Sequence, residues 1–123
     1  MKYFKLKTHY KKILADTISP VSVYLKIRDQ FPNSILLESS DYHGNDNSFS
    51  YICCNPIASI KVEAKVITKT YPDHTVETMS VESDKLTLEI DGFTKQFEIH
   101  KNKTFRFINN GMFGFTAYDA VKY

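Results

Sequence analysis

The sequence predicts an α+β fold, with a mostly antiparallel sheet and two to three helices. Segments in which apolar and polar residues alternate fill the middle of the chain, as expected for half-buried strands. Short runs of turn-forming residues separate these segments, which is typical of hairpins. A Ser-Pro pair followed by apolar residues at helical spacing indicates a helix ahead of the hairpins.

One strand and one helix are predicted in the first third of the chain. Alternation over residues 3–7 indicates the strand, and residues 9–15 suggest a short helical turn. Ser19 can cap a helix that begins at Pro20, a position where proline loses no intrahelical hydrogen bond. Pro32 ends this helix, because the residue before a proline avoids the α region.

Two hairpins are predicted in the middle of the chain. Their strands and the strand between them are expected at residues 34–39, 48–55, 58–65, 66–71 and 75–81. Turn formers around Gly44 join the first pair, and Pro72 lies in the turn of the last pair, where it breaks no ladder bond.

Residues 84–99 carry two conflicting signals. Their apolar residues lie at i, i+4, i+7 and i+11, which is one stripe of a helix, whereas Asp91-Gly92 is a strong signal for a tight hairpin turn. The pattern leaves helix and hairpin open. Further on, Met112–Thr116 is predicted as a buried strand, and Tyr118 begins another helical face.

Composition predicts one cytoplasmic domain and excludes several classes of partner. The 16 basic and 14 acidic residues are scattered, so no concentrated charge favours nucleic acid or a membrane surface. No stretch approaches the roughly 20 apolar residues of a membrane span, and no secretory signal is visible. Cys53 and Cys54 are adjacent, so we expect reduced packing residues, and the four scattered histidines do not predict a metal site.

The sequence also lacks the motifs of common catalytic centres. It contains no Gly-x-Ser-x-Gly elbow and no Cys-His signature of a hydrolase. Gly111 and Gly114 lack the lysine and hydroxyl residue of a phosphate loop. The carboxylates between Glu77 and Asp91 are interpreted as a solvated face.

The segment that points furthest toward a function is Leu36-Leu37-Glu38-Ser39, followed by Ser48-Phe49. It places polar groups within an otherwise apolar strand, as the edge of a ligand site would. The competing interpretation is a half-buried strand whose Glu38 faces water. In a regular strand Leu37 and Glu38 point to opposite faces, so they could share a ligand only through backbone atoms or a bulge.

Four blocks keep one order and approximate spacing along the chain: 19–24, 36–39, 55–56 and 111–119. Together they resemble the N-terminal region of anthranilate synthase component I, one of the chorismate-utilising enzymes. The resemblance implies half of the layered fold of that enzyme, with residues 1–123 as one N-terminal regulatory domain truncated at Tyr123. It also implies a helix before the glycine-rich block, and on that ground we predict a helix over residues 84–99.

By this resemblance the chain belongs to the first committed step of tryptophan biosynthesis. The full-length lyase converts chorismate and ammonia or glutamine to anthranilate and pyruvate. Its catalytic residues and its Mg²⁺ site lie in a C-terminal region, so we expect no catalytic residue, no cofactor and no activity in this chain alone.

The resemblance also implies an allosteric feedback site for L-tryptophan. Glu38 is assigned to the amino group of the ligand, Ser39 to a polar contact and Leu37 to the wall of the pocket. Ser48 and Phe49 lie on the strand that closes over the indole, where an aromatic contact contributes about 1 kcal/mol.

Three partners follow from the same resemblance: the C-terminal chorismate-binding region of the same protein, a glutamine amidotransferase subunit and L-tryptophan. Apolar surface left without the C-terminal region predicts self-association. Two alternatives remain. The chain could be the N-terminal region of aminodeoxychorismate synthase component I, or a stand-alone subunit that docks onto a separate catalytic chain.

Overall fold

The computed structural model describes residues 2–39, 49–99, 108 and 110–122. Its contacts divide the chain into two compact units, which we call the hairpin unit (Lys11–Pro56) and the meander unit (Met1–Tyr10 with Ile57–Tyr123). The described elements confirm an α+β fold with two α-helices and antiparallel sheets. None of the described helices is long and apolar enough to cross a membrane.

The strands are β1 (Phe4–Leu6), β2 (Ile35–Glu38), β3 (Ser50–Cys53), β4 (Ser59–Glu63), β5 (Val66–Thr70), β6 (Val76–Ser80) and β7 (Phe97–Ile99). The α-helices are α1 (Pro20–Ile27) and α2 (Leu86–Thr94). Short 3₁₀ turns cover Ser83–Lys85 and Tyr118–Lys122.

Helix α1 of the hairpin unit begins where the sequence predicts. The Ser19 Oγ accepts a hydrogen bond from the Ser22 N–H at 3.2 Å, and Pro20 occupies the first turn. The helix ends at Ile27, earlier than predicted, because the Ile27 carbonyl accepts from both Gln30 and Phe31 and a turn follows. The helical turn predicted over residues 9–15 is wrong, since these residues form no regular element.

The first predicted hairpin is present as the antiparallel pair of β2 and β3. Both strands are shorter than predicted, and the turn predicted around Gly44 lies outside the described residues.

The meander unit contains the three-stranded antiparallel sheet β4-β5-β6, which confirms the predicted second hairpin and the strand before it. Ala64 and Lys65, the two residues between β4 and β5, both have positive φ, 49° and 63°. This geometry matches the twist of a tight hairpin.

The core of the meander unit lies between β5 and α2. Ile67 and Tyr71 are almost fully buried, as are Val81 and Phe93. Aromatic contacts extend this core: the ring of Tyr71 lies 5.6 Å from that of Phe93 and 5.8 Å from that of Phe4. The predicted helix in residues 84–99 is therefore confirmed for α2, and it is held by its apolar stripe.

Two expectations for this unit are wrong. The chain turns back after α2, so Phe97 lies on β7, which pairs in parallel with β1 instead of continuing the helix. Residues 112–116 form no strand, and Phe115 is 89% exposed. No described strand pairs with this segment, and an unpaired strand would leave its backbone groups without partners.

Candidate functional site

The predicted ligand segment forms a regular antiparallel ladder with the neighbouring strand. Leu37 pairs with Tyr51 and Glu38 pairs with Ser50, with no bulge between them. One further bond, from the Ser39 N–H to the Phe49 carbonyl at 3.2 Å, extends the ladder past the end of β2. Ser48, the remaining predicted site residue, lies outside the described residues.

This register divides the predicted site between two faces of the hairpin. Residues directly opposite each other in a ladder share a face, and successive residues alternate. Leu37, Ser39 and Phe49 therefore share one face, while Glu38 lies on the other with Ser50. The sequence-based expectation that Leu37 and Glu38 point apart is confirmed, and no bulge reunites them.

The face that carries three of the predicted residues is open to solvent. Leu37 is 37% exposed and Phe49 is 41% exposed, and Ser39 is also exposed. An apolar side chain and an aromatic ring thus lie beside a hydroxyl group at the end of β2. Such a surface can receive a flat apolar group and hydrogen-bond to a polar group next to it.

Glu38 offers polar groups in two directions. Because Ser39 and Phe49 form a hydrogen-bonded pair, the alternation of the ladder turns the Glu38 N–H and C=O away from β3, toward the edge of β2 at which no described strand pairs. Its exposed carboxylate lies on the face opposite Leu37. A ligand at this edge could meet a backbone donor, a backbone acceptor and a carboxylate within one residue.

Helix α1 supports this hairpin. It lies against both β2 and β3. The hydroxyl of Tyr24, which is partly buried, donates to the Ser34 carbonyl at 3.4 Å, directly before β2 begins. The Ser19 cap and the Tyr24 contact therefore position the start of the strand that carries the candidate site.

The two cysteines stand at the end of β3. Both are free thiols; Cys53 is partly buried and Cys54 is exposed. Burial, followed by the neighbouring charge of Cys54, raises the pKa of the Cys53 thiol. This disfavours the reactive thiolate at neutral pH. In the described part of the chain, no group of three or more His, Cys, Asp or Glu side chains is placed to hold a metal ion.

A polar cluster in the meander unit was missed by the sequence reasoning. The Lys69 Nζ donates to Glu89 Oε2 at 2.6 Å, and the Tyr71 hydroxyl donates to Glu77 Oε2 at 2.8 Å. Two carboxylates of the segment interpreted as a solvated face thus accept hydrogen bonds from buried partners. Glu77 is nevertheless exposed, as that interpretation expects, whereas Glu89 is only partly exposed. The available signal was alternation, since Lys69 lies between the inward-facing Ile67 and Tyr71.

Burial and the hydrogen bond to Glu77 raise the pKa of the Tyr71 phenol, so it stays neutral and donates. Gln96, which is also buried, acts on this pKa in the opposite direction, and burial outweighs it. The Lys69 ammonium and the Tyr71 hydroxyl each have a carboxylate acceptor within the fold. We therefore assign the cluster to stability and not to ligand binding.

The structure thus defines a class of protein: an α+β chain with an exposed candidate ligand site on the β2–β3 hairpin. The chain is similar to anthranilate synthase component 1 of Pseudomonas putida, with 31% identity over 110 residues, 89% of this chain. It is also similar to anthranilate synthase component 1 of Lactococcus lactis subsp. lactis (strain IL1403), with 41% identity over 51 residues, 42% of this chain.

These similarities cover a small part of each relative. The matched region spans 22% of the Pseudomonas putida protein and 11% of the Lactococcus lactis protein. No family model matches the chain, and no solved structure matches it. Both relatives carry the name of the family that the sequence motifs resemble.

Proposed function

We infer that this chain is the N-terminal, tryptophan-sensing part of a chorismate-utilising protein related to anthranilate synthase component I. The observation that carries the proposal is the shared exposed face of Leu37, Ser39 and Phe49 next to Glu38, at the strand that the motifs assign to the ligand. Similarity to the Pseudomonas putida protein over 89% of the chain supports the family on which that assignment depends.

The chemistry of tryptophan suits these groups. Its indole is large, flat and apolar, so it would pack on Leu37 and Phe49, with Ser39 as a polar neighbour. Its ammonium and carboxylate would lie at the edge of β2 that faces away from β3. There the Glu38 C=O accepts, the Glu38 N–H donates, and the side-chain carboxylate attracts the positive charge.

This placement resolves the division of the site between two faces. The ligand would cross the end of β2, so that its side chain lies on the Leu37 face and its charged groups reach Glu38. Its pocket would be completed by the C-terminal chorismate-binding region and by Ser48. Tryptophan binding would then reduce the formation of anthranilate from chorismate, with Mg²⁺ bound in the catalytic region and ammonia supplied by a glutamine amidotransferase subunit.

Binding can be measured without a label, because the chain contains no tryptophan of its own. We would follow the fluorescence anisotropy of L-tryptophan while this chain is added, with a parallel titration of D-tryptophan and with phenylalanine as the competitor. Saturable binding that favours the L-isomer supports the proposal. If the isolated chain does not bind, equilibrium dialysis of L-tryptophan against a full-length protein that carries this region decides the outcome.

Matched substitutions locate the site. A charge-assisted hydrogen bond contributes about 1.5–3 kcal/mol, so Glu38→Gln should raise the dissociation constant about tenfold or more. Asp29→Asn removes an exposed carboxylate from the same unit and should leave it unchanged. In the full-length protein Glu38→Ala and Ser39→Ala should relieve inhibition by tryptophan while catalysis continues. Unchanged inhibition in both variants would remove the site assignment.

A further inference from the structure

The β4-β5-β6 sheet has an exposed edge strand. β6 pairs with β5 on one side only, and no other described strand pairs with it. All five of its residues are exposed, including Val76 at 59% and Met79 at 42%. The strand contains no lysine, no proline and no bulge, three of the features that protect an edge from pairing, and its one charged side chain, Glu77, is hydrogen-bonded to Tyr71 of its own chain.

The ladder determines which backbone groups this edge presents. Hydrogen bonds from the Tyr71 N–H to the Thr75 carbonyl and from the Val81 N–H to the Lys65 carbonyl flank the β5–β6 pairing. In an antiparallel ladder hydrogen-bonded pairs alternate, so Glu77 and Met79 turn their backbone groups toward β5. Val76, Thr78 and Ser80 therefore direct their N–H and C=O groups outward.

We propose that β6 pairs antiparallel with β6 of a second copy of this chain, with the twofold axis at Thr78. In this register Thr78 faces Thr78 of the second copy, and Val76 faces Ser80. Every outward N–H and C=O of the strand then gains a partner, because all three outward residues fall in hydrogen-bonded pairs. The contact is isologous and closes after two copies, which joins two three-stranded sheets into one.

The side chains of β6 suit this pairing. Its one charged residue, Glu77, faces Met79 of the second copy, so no like charges lie directly opposite each other. The Glu77 carboxylate is also held by the Tyr71 hydroxyl of its own chain. Opposed threonines form one of the favourable cross-strand pairs.

The other edge of the same sheet is less suitable. β4 presents the backbone groups of Ile60 and Val62, since Lys61 and Glu63 pair with β5 through hydrogen bonds beside the tight turn. A symmetric pair of β4 strands that gives both outward residues a partner is centred on Lys61, and it would place Lys61 against Lys61 at the closer, non-hydrogen-bonded spacing. This repulsion favours β6 over β4 as the contact between copies.

Sedimentation velocity of the whole chain over a wide concentration range tests the proposal. We expect a monomer–dimer equilibrium. Thr78→Lys places two positive charges opposite each other at the twofold axis and should raise the dimer dissociation constant about fivefold. Ser59→Lys adds the same charge on the same face of the sheet, but on β4, and should leave the dimer unchanged.

Amide hydrogen exchange identifies the edge. The amides of Val76, Thr78 and Ser80 should exchange quickly in the monomer and become protected as the dimer forms. Those of Glu77 and Met79 should be protected in both states, and they also report whether a variant has kept the β5–β6 pairing. If Thr78→Lys loses that pairing, Thr78→Pro replaces it, since it removes only the outward N–H.

Three outcomes overturn the proposal: a single species of monomer mass at every concentration, equal weakening by Thr78→Lys and Ser59→Lys, or a dimer without new protection at Val76, Thr78 and Ser80. None of them depends on whether the chain binds tryptophan.

Discussion

The Nζ of Lys69 lies 2.6 Å from Oε2 of Glu89, and this ion pair joins the buried face of β5 to α2. The Lys69 side chain is 8% exposed, whereas that of Glu89 is 33% exposed. The lysine is thus nearly enclosed by the core of the meander unit, and its ammonium group is paired with a carboxylate supplied by another element.

Removal of the carboxylate should destabilise the meander unit more than removal of both charges. Breaking a buried pair costs about 3–5 kcal/mol, and because Glu89 is partly exposed we expect Glu89→Leu to lower the free energy of unfolding by about 2 kcal/mol. Adding Lys69→Met should recover most of this loss, because the double variant packs two apolar side chains where the single variant leaves an unpaired, buried ammonium group.

Chemical denaturation of both single variants and of the double variant measures this coupling. Lys61→Met with Glu63→Leu is the control, since that pair is exposed on the outer side of the same sheet and should show little coupling. Equal coupling in the two pairs would contradict the enclosed position of Lys69.

Gly92 lies within α2 and offers a site for stabilisation. Its φ is not positive, and a Cβ added there meets no atom within 4 Å. Gly92→Ala should therefore raise the free energy of unfolding by about 0.5–1 kcal/mol, because alanine loses less conformational freedom in a helix. Thermal unfolding checks this, and an unchanged or lower midpoint would show that α2 does not take this conformation in solution.

The prediction of α2 shows where pattern and burial conflict. Asp91-Gly92 is a turn signal, yet the helical stripe that includes Phe93 prevails because Phe93 is only 3% exposed in the structure. Burial of an aromatic side chain contributes more than the about 1 kcal/mol that a helical glycine costs. In the sequence Phe97 continues the same helical stripe, but it lies on β7 and pairs with Phe4 of β1. The two residues are far apart in the sequence, so the pattern around Phe97 gives no signal for this pairing.

The candidate site was predictable in part. Alternation alone predicts that Leu37 and Glu38 point apart, and the structure confirms it. The grouping of Phe49 with Leu37 requires the pairing register, which depends on how β2 and β3 align. The Lys69–Glu89 pair was not predicted, because lysine usually indicates a solvated position and its partner comes from a helix 20 residues away.

The β4–β5 turn contains stored strain that a substitution can relieve. Lys65 has a φ of 63°, a left-handed conformation that costs a side chain about 1 kcal/mol or more. Lys65→Gly should raise the free energy of unfolding by about 1 kcal/mol, because glycine adopts this conformation without strain. The hydrogen bond from the Val81 N–H to the carbonyl of residue 65 is kept. Thr68→Gly, within β5, should lower it, and stabilisation by both substitutions would refute the turn geometry.

The turn between β5 and β6 should make stability sensitive to acid. Hydrogen bonds from Thr75 and then Lys2 lower the pKa of the Asp73 carboxyl from 3.8 to about 2. A lowered folded-state pKa means that the contribution of Asp73 is complete above about pH 4 and is lost as the pH falls toward 2. Asp73→Asn should therefore make the acid-side loss of stability shallower over this interval.

Denaturation at several pH values, with an NMR titration of the Asp73 carboxyl, checks this prediction. Lys2→Ala should raise the pKa of Asp73 part of the way toward its ordinary value. A carboxyl that titrates at its ordinary value in the native chain would contradict the contacts at this turn.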